Sequence, residues 1–239
     1  MSTPTAARAL VSEALGTAVL LATVVGSGIM GDRLSGGNVA IALLANSLAT
    51  GCALVVLILV FGPISGAHFN PAVTLADAAQ GGLGWGRVPG YLVTQIAGAF
   101  AGVAAAHVMF GEPLFTASLH ARAGGAQLFS EFVATFGLLS VIWGCVRHRP
   151  DAVPFAVGLY ITAAYWFTAS TSFANPAVTL ARSMTNTFAG IRPADVAPFI
   201  GAQLLGATAA TLLFRWLVPP IVSVADRVVV PHEGDEEVV

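Results

Sequence analysis

The sequence predicts an all-α membrane protein with six transmembrane helices and two re-entrant half-helices, arranged as an inverted-topology repeat. Three observations carry the prediction. Charge is too scarce for a surface facing water, six apolar stretches have the length of a bilayer crossing, and one heptapeptide occurs twice between them.

Of 239 residues, 56% are hydrophobic and 9% charged, where a soluble chain carries about 25% charged residues. Mean hydropathy is +0.82. So few charges serve the loops of a lipid-facing bundle but cannot coat a soluble domain, which makes membrane lipid the first partner. Ten basic against twelve acidic residues leave no positive stripe for phosphates, and this excludes nucleic acid. The basic residues are all Arg, so lysine-dependent phosphate or Schiff-base chemistry is excluded as well. Cys52 and Cys145 lie in apolar runs, where a lone Cys behaves as a small core residue. His107, His120, His148 and His232 share no metal spacing, and no nucleophile–base pair is visible. The expectation is a protein that is not an enzyme and uses no metal or cofactor.

A crossing needs about 20 mainly apolar residues. Six stretches qualify: Leu10–Met30, Val39–Phe61, Val88–Phe110, Leu128–Val146, Ala152–Thr171 and Val196–Arg215. Only the first and fourth contain an acid, Glu13 and Glu131. The first run is too long for a signal peptide. Six crossings put both termini on one side. With the N-terminus inside, Arg8, Arg87, Arg147, Arg149, Arg215 and Arg227 are cytoplasmic, while Arg33, Arg122, Arg182 and Arg192 are not. That bias places both termini in the cytoplasm and the chain in the inner (plasma) membrane. Residues 219–239 read as a cytoplasmic tail that ends in a short disordered acidic stretch, Pro231–Val239.

Two uncharged stretches overrun their spans. Asn38–Ala76 and Ala152–Ala181 contain no Asp, Glu or Arg, and each is longer than one crossing and shorter than two. The surplus holds Gly, Pro, Ser and Asn, and each surplus ends in the same heptapeptide. Asn70-Pro71-Ala72-Val73-Thr74-Leu75-Ala76 recurs as Asn175-Pro176-Ala177-Val178-Thr179-Leu180-Ala181. Glu13 and Thr17 correspond to Glu131 and Thr135, and Gln95, Gly98 and Ala99 to Gln203, Gly206 and Ala207. The chain is therefore one membrane domain built by duplication, with residues 1–110 as one repeat and 126–218 as the other. Each repeat has an odd number of crossings, so the second is inverted, an architecture that places the working site near the midplane.

Asn is a strong N-cap and Pro is favoured at the first helical position, so Asn-Pro starts a helix. In inverted copies, the two helix N-termini meet head to head. Each carries roughly half a positive charge. With the Asn oxygen spent on capping, its amide hydrogens are left to face a lumen. Such a site favours hydroxylic neutral solutes and opposes cations.

Ser65-Gly66-Ala67-His68-Phe69-Asn70-Pro71-Ala72-Val73-Thr74 and Asn175-Pro176-Ala177, with Glu13 and Glu131, resemble the aquaporin family (major intrinsic proteins). The chain looks like a bacterial-type member with a non-standard outer constriction. The resemblance implies that Asn70 and Asn175 are pore asparagines, that Pro71, Ala72, Pro176 and Ala177 complete the half-helix starts, and that the glutamates accept backbone N–H bonds from the re-entrant loops. It also implies a homotetramer with one pore per subunit.

The family's usual Arg after the second Asn-Pro-Ala is replaced by Val178. The other constriction positions fall on Thr50, on Ser172, and on Ala163 or Tyr165, depending on whether the fifth span is counted from Asn175 or from Gly158-Leu159. Thr50, Ser172 and Val178 describe a mouth wider, less charged and more apolar than a water filter. Arg182, four residues after Val178, either reaches back toward the mouth or snorkels to the interface. Its first-half equivalent is Asp77, where no constriction is expected, which favours snorkelling. His68 is expected in the inner vestibule. Gly98 and Gly206 are expected at close helix crossings.

The expected function is a passive channel for small neutral solutes: water, glycerol, or larger species such as urea or arsenous acid, as the family's wide-mouthed members carry. The alternatives are a proton-coupled transporter, in which Glu13 and Glu131 relay protons, and a non-conducting structural protein of the same fold. Repeat symmetry favours loop-pinning for the two acids.

Overall fold

A computed structural model describes residues 5–218. The cytoplasmic tail expected over 219–239, with its acidic end Pro231–Val239, lies outside them. The helices are α1 (Ala6–Leu34), α2 (Val39–Ser65), α3 (Pro71–Gln80), α4 (Val88–Phe110), α5 (Gly125–His148), α6 (Val153–Phe167), α7 (Pro176–Arg182) and α8 (Val196–Leu217). Short 3-10 turns precede α4, α6 and α8, and among the described residues there is no strand.

Local chemistry sets the helix limits. Thr5 Oγ1 accepts from Arg8 N at 3.4 Å to start α1, and Asn38 Oδ1 accepts from Ala40 N and Ile41 N to start α2. Gly66 and Gly81, at φ 86° and 89°, end α2 and α3 in the left-handed conformation that glycine adopts without a Cβ penalty. Arg215, from the last turn of α8, donates to Gln80 Oε1 (2.6 Å) and to the Ala79 carbonyl, fixing the C-terminal end of α3.

Among the described residues, five helices are long and apolar enough to cross a membrane: α1, α2, α4, α5 and α8, with α4 and α8 counted together with their leading turns. The fifth predicted span is shorter than Ala152–Thr171. Residues Pro150–Ala152 form a 3-10 turn and α6 ends at Phe167 after 15 residues, about 22 Å. The apolar run continues past that point, but Thr168 is extended and Thr171 and Ser172 have φ of 61° and 51°. The chain has already turned toward α7.

Within each half the first and last helices pack face to face, α1 on α4 and α5 on α8, while α2 on α6 joins the halves. A Cβ at Gly98 would strike the Ala14 carbonyl, and one at Gly206 the Phe132 carbonyl. Glycine at these two symmetric positions is what lets the backbones touch. The bundle buries several polar side chains within an apolar core and exposes apolar ones. Glu13, Gln95, Glu131 and Gln203 are fully buried, whereas Leu15, Leu48, Val93, Phe129, Leu159 and Leu205 are exposed. Such a surface suits lipid rather than water.

Candidate functional site

The loops leading into α3 and α7 are strained in the same way. Gly66, Ala67 and Phe69 have φ of 86°, 50° and 50°; Thr171, Ser172 and Ala174 have 61°, 51° and 47°. For a non-glycine residue this conformation costs roughly 1–3 kcal/mol. Two buried glutamates hold it. Glu13 accepts from Ser65 Oγ (2.7 Å), His68 N (2.9 Å), Phe69 N (2.7 Å) and Gln95 Nε2 (2.8 Å). Glu131 accepts from Phe173 N (2.9 Å), Ala174 N (2.9 Å) and Gln203 Nε2 (2.6 Å). Each such bond contributes on the order of 1 kcal/mol, and together they offset the strain. The same glutamines donate to Thr74 Oγ1 (2.9 Å) and Thr179 Oγ1 (2.8 Å), tying each loop to its half-helix.

With the loops fixed, the half-helices meet N-terminus to N-terminus. Asn70 Oδ1 accepts from Ala72 N (2.9 Å), and Asn175 Oδ1 from Ala177 N (2.9 Å) and Val178 N (3.2 Å). Each amide nitrogen also crosses to the other half: Asn70 Nδ2 donates to Ala174 O and Asn175 Nδ2 to Phe69 O, both at 2.8 Å. The amides are therefore less free than their capping role alone implies. One hydrogen of each is spent on the crossing bond, and one remains.

Both asparagines line one cavity of about 650 Å³ of empty space, part of it open to solvent. Its long walls are apolar, with Leu20 and Val24 from α1, Leu54 and Ile58 from α2, Leu138 and Ile142 from α5, and Val157 and Ile161 from α6. Ala67, His68 and Val73 line it on the α3 side. Thr50, Tyr165, Ser172, Val178 and Arg182 line it on the α7 side. No carboxylate lines it among the described residues. Glu13, Glu131, Pro71, Ala72, Pro176 and Ala177 lie behind the wall, buried.

Two positions that the sequence leaves open differ in their surroundings. Ala163 is exposed and off the cavity; Tyr165 is buried, lines it, and its hydroxyl lies 3.3 Å from Thr50 Oγ1. Arg182 does not snorkel. It is 2% exposed, its Nε donates to Ala189 O at 2.5 Å, and its guanidinium carbon lies 3.4 Å from the centre of the Phe173 ring. The cavity wall that Thr50, Ser172 and Val178 were expected to make less charged and more apolar thus also contains a cation and a phenol.

On the α3 side, His68 Nδ1 lies 3.1 Å from Thr74 Oγ1 and His68 Nε2 3.4 Å from Asp77 Oδ2, with the Tyr91 ring 5.4 Å from its own. The α7 side repeats this plan with different chemistry. Phe173 replaces His68, Arg182 replaces Asp77, and Phe199, 5.5 Å from the Phe173 ring, replaces Tyr91.

Sequence reasoning missed Arg122, which it used only to count charges. Arg122 donates to Gly190 O (2.9 Å) and Ser170 O (3.0 Å), its backbone N–H donates to Asp195 (2.8 Å), and its guanidinium carbon lies 4.9 Å from the Phe173 ring centre. Burial pushes this guanidinium down to about 10, so it stays charged at neutral pH. Its partners come from loops far along the chain, and no local signal marks them.

The geometry can be set beside known proteins. The profile described as Major intrinsic protein matches residues 1–169 and 149–236. The chain belongs to the major intrinsic protein family. Among relatives in this family, the chain is 57% identical over 213 residues to "Aquaglyceroporin AqpS" of Rhizobium meliloti (strain 1021), covering 89% of this chain and 91% of that one. It is 33% identical over 215 residues to "Aquaporin NIP1-3" of Oryza sativa subsp. japonica, covering 87% and 74%. The aquaglyceroporin from Plasmodium falciparum has the same fold, with a TM-score of 0.70 over 92% of this chain and 99% of that one at 23% identity. Major intrinsic proteins are integral membrane channels rather than enzymes.

Proposed function

We propose that the chain is a passive channel for small uncharged solutes, and that its lumen is the cavity between the two Asn-Pro-Ala half-helices. The observation that carries this reading is the head-to-head meeting of the α3 and α7 N-termini inside an apolar wall. Two positive helix ends face any ion at that point, and the remaining amide hydrogens of Asn70 and Asn175 offer donors to a passing oxygen. Water and hydroxylic solutes match those donors, while a cation loses hydration without a compensating ligand.

Val178 supports a solute larger than water, since a branched hydrocarbon occupies less of the lumen than a guanidinium chain. The name of the relative from Rhizobium meliloti points the same way. Glycerol is the first candidate, with urea and neutral metalloid hydroxides such as arsenous acid following on size and lack of charge. The proton-relay alternative finds no support, because Glu13 and Glu131 accept from loop and glutamine donors and lie off the cavity. The family and the arginine bias together support a homotetramer in the inner membrane with cytoplasmic termini, which puts the α7 side of the cavity at the outer mouth.

Stopped-flow light scattering on one proteoliposome preparation, comparing water, glycerol, urea and arsenous acid, tests the reading. Glycerol permeability well above that of protein-free vesicles is expected. Conduction of water alone, or of nothing, overturns it.

A further inference from the structure

Val178 leaves the mouth without a charge at the usual position, yet a charge lines the same cavity one helical turn further along α7. Arg182 is 2% exposed and lines the cavity together with Val178, Ser172, Tyr165 and Thr50. Of its donors only Nε has a protein partner among the described residues, the Ala189 carbonyl. Both terminal nitrogens keep surface but no protein acceptor, and no carboxylate lines the cavity to neutralise them. The guanidinium is also held in place. It stacks on Phe173, whose backbone N–H is fixed by Glu131 and whose ring meets Phe199 edge-on.

A buried, positioned cation with unpartnered N–H groups facing a solute-sized space is a recognition element rather than a packing residue. We propose that Arg182 is the charged, specificity-determining residue of the outer mouth, replacing from one turn away the arginine missing at position 178. Its terminal N–H groups take a hydroxyl oxygen of the entering neutral solute, and its charge turns back cations. Set back by a turn, it does so without filling the lumen beside Val178, so charge selection and a wide opening coexist. The inference rests on the channel reading above.

Proteoliposomes holding wild type, Arg182→Met or Arg182→Lys test it, with glycerol flux and potassium uptake measured on each preparation. Met keeps an unbranched apolar stem but removes the charge; Lys keeps the charge. Arg182→Met should conduct glycerol and raise potassium uptake on the order of tenfold or more, the scale of one unit charge a few ångströms from the ion path. Arg182→Lys should restore exclusion. Should Arg182→Met fail to fold, Arg182→Cys, with Cys52 and Cys145 replaced by Ser, can be modified after reconstitution by a neutral methyl or a charged aminoethyl thiosulfonate. Only the charged adduct should suppress the leak. The proposal is overturned if Met leaves cation exclusion intact, if Lys leaks like Met, or if the two adducts behave alike. Wild type that passes no solute overturns the channel reading and this proposal with it. Glycerol flux with unchanged cation exclusion in every variant overturns this proposal alone.

Discussion

Asn70 and Asn175 each use one amide for two tasks: the oxygen caps its own half-helix and the nitrogen ties the opposite loop. Asn175→Asp separates them. Asp keeps the cap but loses the donor to Phe69 O and sets a carboxylate oxygen against that carbonyl. The variant should lose about 1–3 kcal/mol of stability and weaken cation exclusion, checked by thermal unfolding in detergent and by potassium uptake in vesicles. A variant as stable and as selective as wild type contradicts the assignment. Val178→Arg adds a planar fork of five N–H donors to the wall. Water should lose least and glycerol most, so the water-to-glycerol flux ratio should rise; an unchanged ratio in a folded variant places residue 178 off the constriction. The Ala163–Tyr165 ambiguity was a counting problem in sequence, since the two alignments differ by two residues. What separates them is the approach of Tyr165 to Thr50 on another helix. Snorkelling was the reasonable expectation for Arg182 because the surface that buries it, Phe173 and the Ala189 carbonyl, belongs to loops whose paths no helical period records.

Among the elements, the half-helices were legible because their chemistry is local. Asn caps, Pro at the first position and an uncharged surplus too short for a second crossing all sit within one window. The end of α6 was not. Ala169-Ser170-Thr171-Ser172 carries no charge to mark the end of a span, and the turn there is held by Glu131, which accepts from Phe173 and Ala174 from about 40 residues upstream in sequence. The proposed role of the two glutamates is to pin the loops, and their substitution tests it. Glu131→Gln keeps one acceptor oxygen and puts an NH₂ where the other stood, so flux should persist with stability lowered by roughly 1–3 kcal/mol; Glu131→Ala removes both acceptors and should cost more. Detergent melting curves and glycerol flux read the two effects. A well-folded Glu131→Gln variant that loses a pH-dependent transport activity would instead mark Glu131 as a proton carrier.

Across the whole molecule, the inverted repeat gives a symmetric frame with an asymmetric lining. Glu13 and Glu131, Gln95 and Gln203, Gly98 and Gly206, and the two asparagines repeat one plan, and that symmetry was readable because the matching residues recur in order in both halves. The ends of the cavity differ, with His68 backed by Asp77 on one side and Phe173 under Arg182 on the other. Sequence symmetry pairs Asp77 with Arg182 but does not say that Arg182 lines the cavity while Asp77 lies behind His68. A frame of this kind, with its central donors held by hydrogen bonds across the halves, needs no energy source and no conformational cycle to pass a neutral solute. The most direct test is the initial rate of glycerol entry into proteoliposomes as the gradient is raised, with and without an imposed proton gradient. A rate that grows in proportion to the gradient, is equal in both directions and ignores the proton gradient is predicted. Saturation at low glycerol, or uphill accumulation driven by protons, would contradict the account.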